Sequence, residues 1–345
     1  MIYRSRAPLR IGLAGGGTDV SPYMDQFGGC VVNATIDLYA HASLIPHTEN
    51  QIQFEAPDKN LQYSFTPNEP REPEIPKDFE LFYGVYRHFH QQFGPLPSGF
   101  QLSAYIEAPQ GSGLGTSSTL VVALLGVFKE WLKLDWSPEF LAQKAFIIER
   151  EELGMAGGRQ DQYASSFGGL NCMHFNPNGS VVVEPIKISE SARLELETCL
   201  LLFYTQIQRE SSHIIRHQIE SVQRGAQERI QAMHELKLQA YQLKAAFETG
   251  HLNQLGELLH YGWQQKKKMA DQISNPQIDL LYEAACKAGA TGGKISGAGG
   301  GGFLFFYCPG TRKLNVANAL NAFEGSIQHF TFSPKGLTTW SQKND

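Results

Sequence analysis

Three glycine-rich segments, far apart in a chain of 345 residues, constrain the fold more than any other feature. The first carries Gly12, Gly15, Gly16 and Gly17 and ends in Thr18-Asp19. The second carries Gly111, Gly113 and Gly115 and runs into Thr116-Ser117-Ser118. The third follows Lys294 and carries Gly297 and the run Gly299, Gly300, Gly301, Gly302. Glycine permits positive φ and lets the backbone approach a ligand closely. One such segment could be a turn. Three, each beside an apolar run, imply a single site lined by backbone N–H groups, which is how proteins hold phosphate.

The chain is long enough for two cores, and its 42% hydrophobic and 18% charged residues suit an ordinary soluble protein. The net charge is −5 and no basic run exceeds Lys266-Lys267-Lys268, which excludes nucleic acid and membrane surfaces as partners recognised by bulk charge. The five cysteines, Cys30, Cys172, Cys199, Cys286 and Cys308, are odd in number and form no C-x-x-C. They read as buried thiols in a reducing cytosol, not as a disulfide frame or a zinc site. The first residues form no apolar leader, and the longest apolar stretch, near 120–128, is too short to span a bilayer. The expected location is cytoplasmic.

Strands and helices interleave without a βαβ rhythm, so the expected class is α+β. The first 45 or so residues read as β structure, with a hairpin over 52–55 and 61–65. An exposed loop is expected over 68–77, a helix over 79–93 and a strand over 100–107. A strongly apolar core helix spans 117–132. Ser137-Pro138 opens a helix to about 152. A second hairpin joins 168–175 to 181–188. A new unit begins near 190, giving expected domains at 1–188 and 189–345. It opens with a strand at 199–204, followed by about seventy mostly helical residues broken at Gly250. Strands at 289–294 and 303–307, a helix at 313–323 and a last strand at 327–332 complete it.

The second glycine segment is the most legible. A helix N-terminus after a glycine loop offers free N–H groups and a positive dipole end, and its hydroxyls can cap it or reach a metal. It is not a P-loop, because no lysine follows Gly115, and its glycine spacing does not fit G-x-G-x-x-G.

Taken together, the three segments resemble the small-molecule kinases that include galactokinase, homoserine kinase, mevalonate kinase and phosphomevalonate kinase. The likeness extends over nearly the whole chain, with the segments in the family's order. It implies an N-terminal domain like ribosomal protein S5 domain 2, a ferredoxin-like C-terminal domain, and an active site between them using ATP and Mg²⁺. By this resemblance Gly111, Ser112, Gly113, Leu114, Gly115, Thr116, Ser117 and Ser118 hold ATP, facing Gly297, Gly299 and Gly300. Residues 149–163 resemble the family's glutamate followed by G-x-x-D-Q. That makes Asp161 the catalytic carboxylate and Glu149 a metal ligand together with Ser117. Glu151 and Glu152 compete for the one role and Ser118 for the other. Arg10 is placed to hold Asp161 or a transferring phosphoryl oxygen.

The first segment is expected to face the acceptor through Gly16, Gly17, Thr18 and Asp19. Galactokinases carry a charged pair where Gly16 and Gly17 stand, which argues against galactokinase activity. Residues 14–23 and 33–37, Thr205 with Arg209, and Lys266 before 273–276 resemble a narrower group. Its members phosphorylate the anomeric hydroxyl of a heptose 7-phosphate. The partners are then ATP and a sugar phosphate, with Arg209, Lys266 and Arg159 as candidate ligands of the distal phosphate. Oligomeric state is not legible. Fucokinase-type enzymes acting on unphosphorylated sugars share part of the pattern, and a catalytically silent sugar- and nucleotide-binding regulator is the remaining alternative.

Overall fold

The computed structural model describes residues 1–67, 73–207 and 211–343. Strands β1 (Ile2–Ala14) and β2 (Gly29–His47) form a long antiparallel pair, joined by the first glycine segment and a short helix, α1 (Tyr23–Phe27). The expected hairpin is present as β3 (Ile52–Ala56) and β4 (Leu61–Phe65). Of the expected loop after it, 68–72 lies outside the described residues. Helix α2 (Glu80–Phe93) leads into β5 (Gly99–Ile106), which pairs with β2 and lies parallel to β3.

Helix α3 (Thr116–Trp131) is buried on nearly every side, Leu120–Phe128 included, because it packs against β1, β2 and α2. In α4 (Pro138–Phe146) Ser137 Oγ accepts from the Phe140 N–H at 3.2 Å, and Pro138 fills the first turn, where no N–H is missed. The expected helix to about 152 does not run through as α-helix: Ile147–Glu152 widens into a π-helical turn. Helix α5 (Gln160–Phe167) follows, then the hairpin β6 (Leu170–Phe175) and β7 (Val181–Pro185), with β6 pairing on the first half of β2.

Helix α6 (Glu190–Cys199) leads into β8 (Leu200–Tyr204). Four helices follow: α7 (Ser211–Gln223), α8 (Gln227–Glu248), α9 (Leu255–Met269) and α10 (Pro276–Ala288). Strands β9 (Gly292–Ile295) and β10 (Phe303–Tyr307) flank the third glycine segment; α11 (Lys313–Leu320) and β11 (Ser326–Gln328) come next. The expected last strand is shorter than its pattern, and a final strand, β12 (Thr338–Gln342), returns to pair with Ile2–Arg6 of β1. Its residues Thr338, Thr339, Trp340, Ser341 and Gln342 are mostly polar, so no apolar alternation marks it.

The eight-stranded sheet runs β12-β1-β2-β5-β3-β4 with β6 and β7 attached to β2; the four-stranded sheet runs β11-β8-β10-β9. Among the described residues only β3 and β5 pair in parallel, as suits an α+β fold. One core joins the two sheets: Leu9, Ile11, Val32 and Ala34 pack in the same cluster as Leu202, Phe305, Ala240 and Leu243. Burying this seam fixes the relative position of the sheets, and with it the meeting point of the glycine segments.

Candidate active site

All three segments border one cleft of about 660 Å³. Arg10, on β1 and only 3% exposed, ties them together. Its Nε donates to Asp161 Oδ1 at 2.7 Å and its Nη2 lies 2.5 Å from the same oxygen. Its Nη1 donates to the Gly113 carbonyl at 2.6 Å and to Ser296 Oγ at 3.4 Å. Ser296 Oγ in turn donates to the Gly113 carbonyl at 2.9 Å. The second and third segments pass so closely that a Cβ on Gly113 would lie 2.3 Å from the Ser296 carbonyl oxygen. Asp161, on the first turn of α5, abuts Gly115, where an added Cβ would lie 3.1 Å from its Cγ.

Gly115 adopts φ 80 at the start of α3, and no side chain caps that helix end. The hydroxyls of the helix turn elsewhere. Ser117 Oγ donates to Glu149 Oε1 at 2.8 Å and Ser118 Oγ to Glu149 Oε2 at 2.6 Å. Gln162 Nε2 donates to Oε2 at 2.7 Å, and Arg150 Nη1 stands 3.2 Å from Oε1. Glu149 is fully buried, on the π-helical turn; Ser117 lines the cleft in front of it. Glu152 is paired with His88 Nδ1 at 2.7 Å. Both serines thus offer a hydroxyl beside the Glu149 carboxylate, and of the two Ser117 lines the cleft.

Asp19 is 1% exposed and accepts from the Gly17 N–H, the Gln160 N–H and Gln160 Nε2 at 3.1, 3.1 and 3.2 Å. It therefore links the first segment to the N-terminal end of α5, where a carboxylate is favoured by the helix dipole. Lys266, on α9, stands at the junction of the first and third segments; its Nζ donates to the Gly297 carbonyl at 2.7 Å. Burial pulls its ammonium down to about 8, with Asp19 acting upward and Arg10 downward. Behind it Lys294 Nζ donates to the Gly12 carbonyl at 2.9 Å, and burial followed by the Lys266 and Arg10 charges holds it well below the ordinary lysine range.

Several expected contacts sit differently. Thr18 is fully buried and its hydroxyl is taken up by the Gly15 carbonyl and by the Cys30 carbonyl and N–H, so it shapes the loop and does not face the cleft. Leu114 turns its side chain into the core, Ser112 is fully buried, and the Gly300 N–H is spent on the Ile273 carbonyl. Gly16 is buried beside Lys266 Nζ. Arg159 donates to the Gly179 carbonyl at 2.6 Å and lies over the Phe146 ring, away from the cleft. Arg209 lies outside the described residues. Gln160, Arg150, Ser296 and Gln218 also line the cleft. The first three adjoin motif residues, a signal that could have found them. Gln218 Nε2 donates to the Gly17 carbonyl at 2.7 Å from α7, and nothing in the sequence marks it.

Two family models match: GHMP kinases N terminal domain over residues 80–169 and GHMP kinases C terminal over 243–325. The chain is 40% identical to a D-glycero-alpha-D-manno-heptose 7-phosphate kinase of Campylobacter jejuni, over 98% of each. It is 27% identical to an L-fucokinase/L-fucose-1-P guanylyltransferase of Bacteroides fragilis, covering 96% of this chain but 38% of that protein. A solved structure described as a D-glycero-D-manno-heptose 1-phosphate kinase from Bacteroides thetaiotaomicron superposes with a TM-score of 0.82 at 37% identity, covering 99% of this chain and all of the other. A galactokinase of Lactococcus lactis, 18% identical over 98% of this chain and 95% of its own, superposes with a TM-score of 0.76, a likeness of fold.

Proposed function

Because the chain belongs to the GHMP kinases, we propose that it is an ATP-dependent sugar kinase whose acceptor is the anomeric hydroxyl of a heptose 7-phosphate. The observation that carries this reading is the Arg10–Asp161 pair, standing in the cleft where the three glycine segments meet. Phosphoryl transfer asks for positioned phosphates, donors for their charge and a carboxylate near the nucleophile.

In this account the Gly111–Ser118 loop and the open end of α3 bind the ATP phosphates, with Gly297 and Gly299 across the cleft. The sugar lies against Gly17 and Asp19; a side chain at Gly17 would run into Met269 Cε, 2.6 Å from an added Cβ, so this wall of the cleft admits no charged residue of the galactokinase kind. Asp161 orients the attacking hydroxyl and takes its proton as the oxygen bonds to the γ-phosphorus and the bond to ADP breaks. Arg10 holds Asp161 in place. Lys266 offers an ammonium to a phosphate oxygen of the substrate. Ser117 and Glu149 fit Mg²⁺, since hydroxyl and carboxylate oxygens are the donors that ion takes. Bound there with ATP, it would neutralise phosphate charge.

The names of the two heptose enzymes put the existing phosphate at position 7 in one and at position 1 in the other. The reading adopted follows the first, at 40% identity. If a partly desolvated cation grips the distal phosphate, losing that pair costs about 2–5 kcal/mol. Heptose 7-phosphate should then exceed free heptose in kcat/KM by at least ~30-fold. Steady-state ADP release with both sugars and with L-fucose measures this. Equal rates, or faster use of L-fucose, would favour a kinase of unphosphorylated sugars.

A further inference from the structure

We propose that Cys30, Cys172 and His174 form a second metal site, for a divalent cation with the ligand preferences of Zn²⁺, in the sheet beneath the Gly15–Asp19 loop. Sequence spacing hides it: the two cysteines are 142 positions apart, without a C-x-x-C, and so read as scattered thiols. The pairing of β2 with β6 removes that distance. Cys30 stands opposite His174 and Cys172 opposite Val32, so the thiols are diagonal neighbours on one face of the sheet.

The distances are those of a coordination sphere. Cys30 Sγ and Cys172 Sγ are 3.4 Å apart, and Cys172 Sγ is 3.6 Å from His174 Nε2. All three donor atoms lie within 4.8 Å of one another. Tetrahedral zinc, with Zn–S about 2.3 Å and Zn–N about 2.0 Å, separates two sulfurs by roughly 3.7 Å and sulfur from nitrogen by roughly 3.5 Å. A disulfide would instead require sulfurs about 2.05 Å apart.

The chemistry agrees. Thiolate and imidazole select Zn²⁺ over the hard Mg²⁺. Binding releases two thiol protons, and two thiolates neutralise a divalent ion, so the assembled cluster carries little burial penalty. Both cysteines are fully buried, whereas His174 is partly exposed and opens toward Glu184. Glu184 Oε2, 3.3 Å from His174 Nε2, stands beside the cluster but outside it, its other oxygen accepting from Lys244 Nζ at 2.7 Å, so a water completes the sphere. Tyr241 stacks on the imidazole with ring centroids 5.9 Å apart and steadies it.

The site also bears on the cleft. The Cys30 N–H and carbonyl both bond Thr18, and a Cβ on Gly15 would lie 1.9 Å from the Cys30 oxygen. An ion on Cys30 Sγ would brace the strand on which the first glycine loop rests.

The test uses the whole chain, stripped with chelator and then given Zn²⁺ or Co²⁺ in excess Mg²⁺. After desalting, elemental analysis should find about one Zn²⁺ per chain. The Co²⁺ form should show a thiolate-to-metal band and the intense visible bands of a tetrahedral ion. Cys172→Ser and His174→Ala should each weaken Zn²⁺ binding by at least ~100-fold and remove the thiolate band. Cys286→Ser, a thiol outside the cluster, should keep both. Zinc binding unchanged in Cys172→Ser overturns the proposal. Should the variants fail to fold, a folded wild-type chain without the Co²⁺ thiolate band overturns it equally.

Discussion

Arg10 donates to Asp161, to the Gly113 carbonyl and to Ser296, so a single guanidinium joins β1, the second glycine segment and the third. A planar fork is suited to three such partners where a lysine is not. Asp161 depends on that grip and on Gln160, whose N–H and Nε2 are held by Asp19. Asp161→Asn should leave folding and nucleotide binding intact and lower kcat by ~10²–10⁴, the usual worth of a general base; a kcat within a few-fold of wild type would remove Asp161 from the role. Lys266 predicts a pH dependence. Its ammonium, lowered to about 8 by burial, is charged below that value and neutral above it. Affinity for an anionic substrate is therefore present at low pH and lost as pH rises. The KM for the sugar phosphate should climb above pH 8 by up to ~10-fold per unit, with kcat little changed. Lys266→Met should give a high, flat KM. A wild-type KM constant from pH 7 to pH 9.5 would contradict the assignment.

At the scale of elements, the glycine segments are held by contacts that admit no side chain. Gly113 has φ 81 and faces the Ser296 carbonyl, and Gly297, with φ 74, would meet Gly113 in return. Gly113→Ala should cost at least ~1–3 kcal/mol in stability and most of the activity; denaturant unfolding and kcat together check this, and wild-type values in both would mean the loops do not interlock. These segments were legible because backbone demands leave glycine as their signature. So were the 52–65 hairpin, two short alternating runs about 57–60, and α3, a continuous apolar run that only a core can take. β12 was not, because a polar edge strand lacks one. Nor was the burial of Glu149: its place follows from the π-helical turn at Ile147–Glu152, which shifts the face that a regular helix would present. Thr18 read as a cleft residue, yet the fold spends its hydroxyl on Gly15 and Cys30, contacts that sequence adjacency does not reveal.

In the whole molecule, the two sheets share a core, and the cleft opens along their seam. Residues from both sides supply it: Arg10, Asp19, Asp161 and the loop before α3 from one, Lys266, Gly297 and Gly299 from the other. The described residues contain no helix long and apolar enough to cross a membrane. The central claim, that this cleft transfers phosphate from ATP to the anomeric oxygen of a heptose 7-phosphate, is tested most directly by ³¹P NMR of the product made from that sugar and ATP with Mg²⁺. The account predicts one new phosphate resonance coupled to the anomeric proton, the original 7-phosphate signal retained, and ADP in equal amount. A new phosphate on any other carbon, or ADP formed without a phosphorylated sugar, would contradict it.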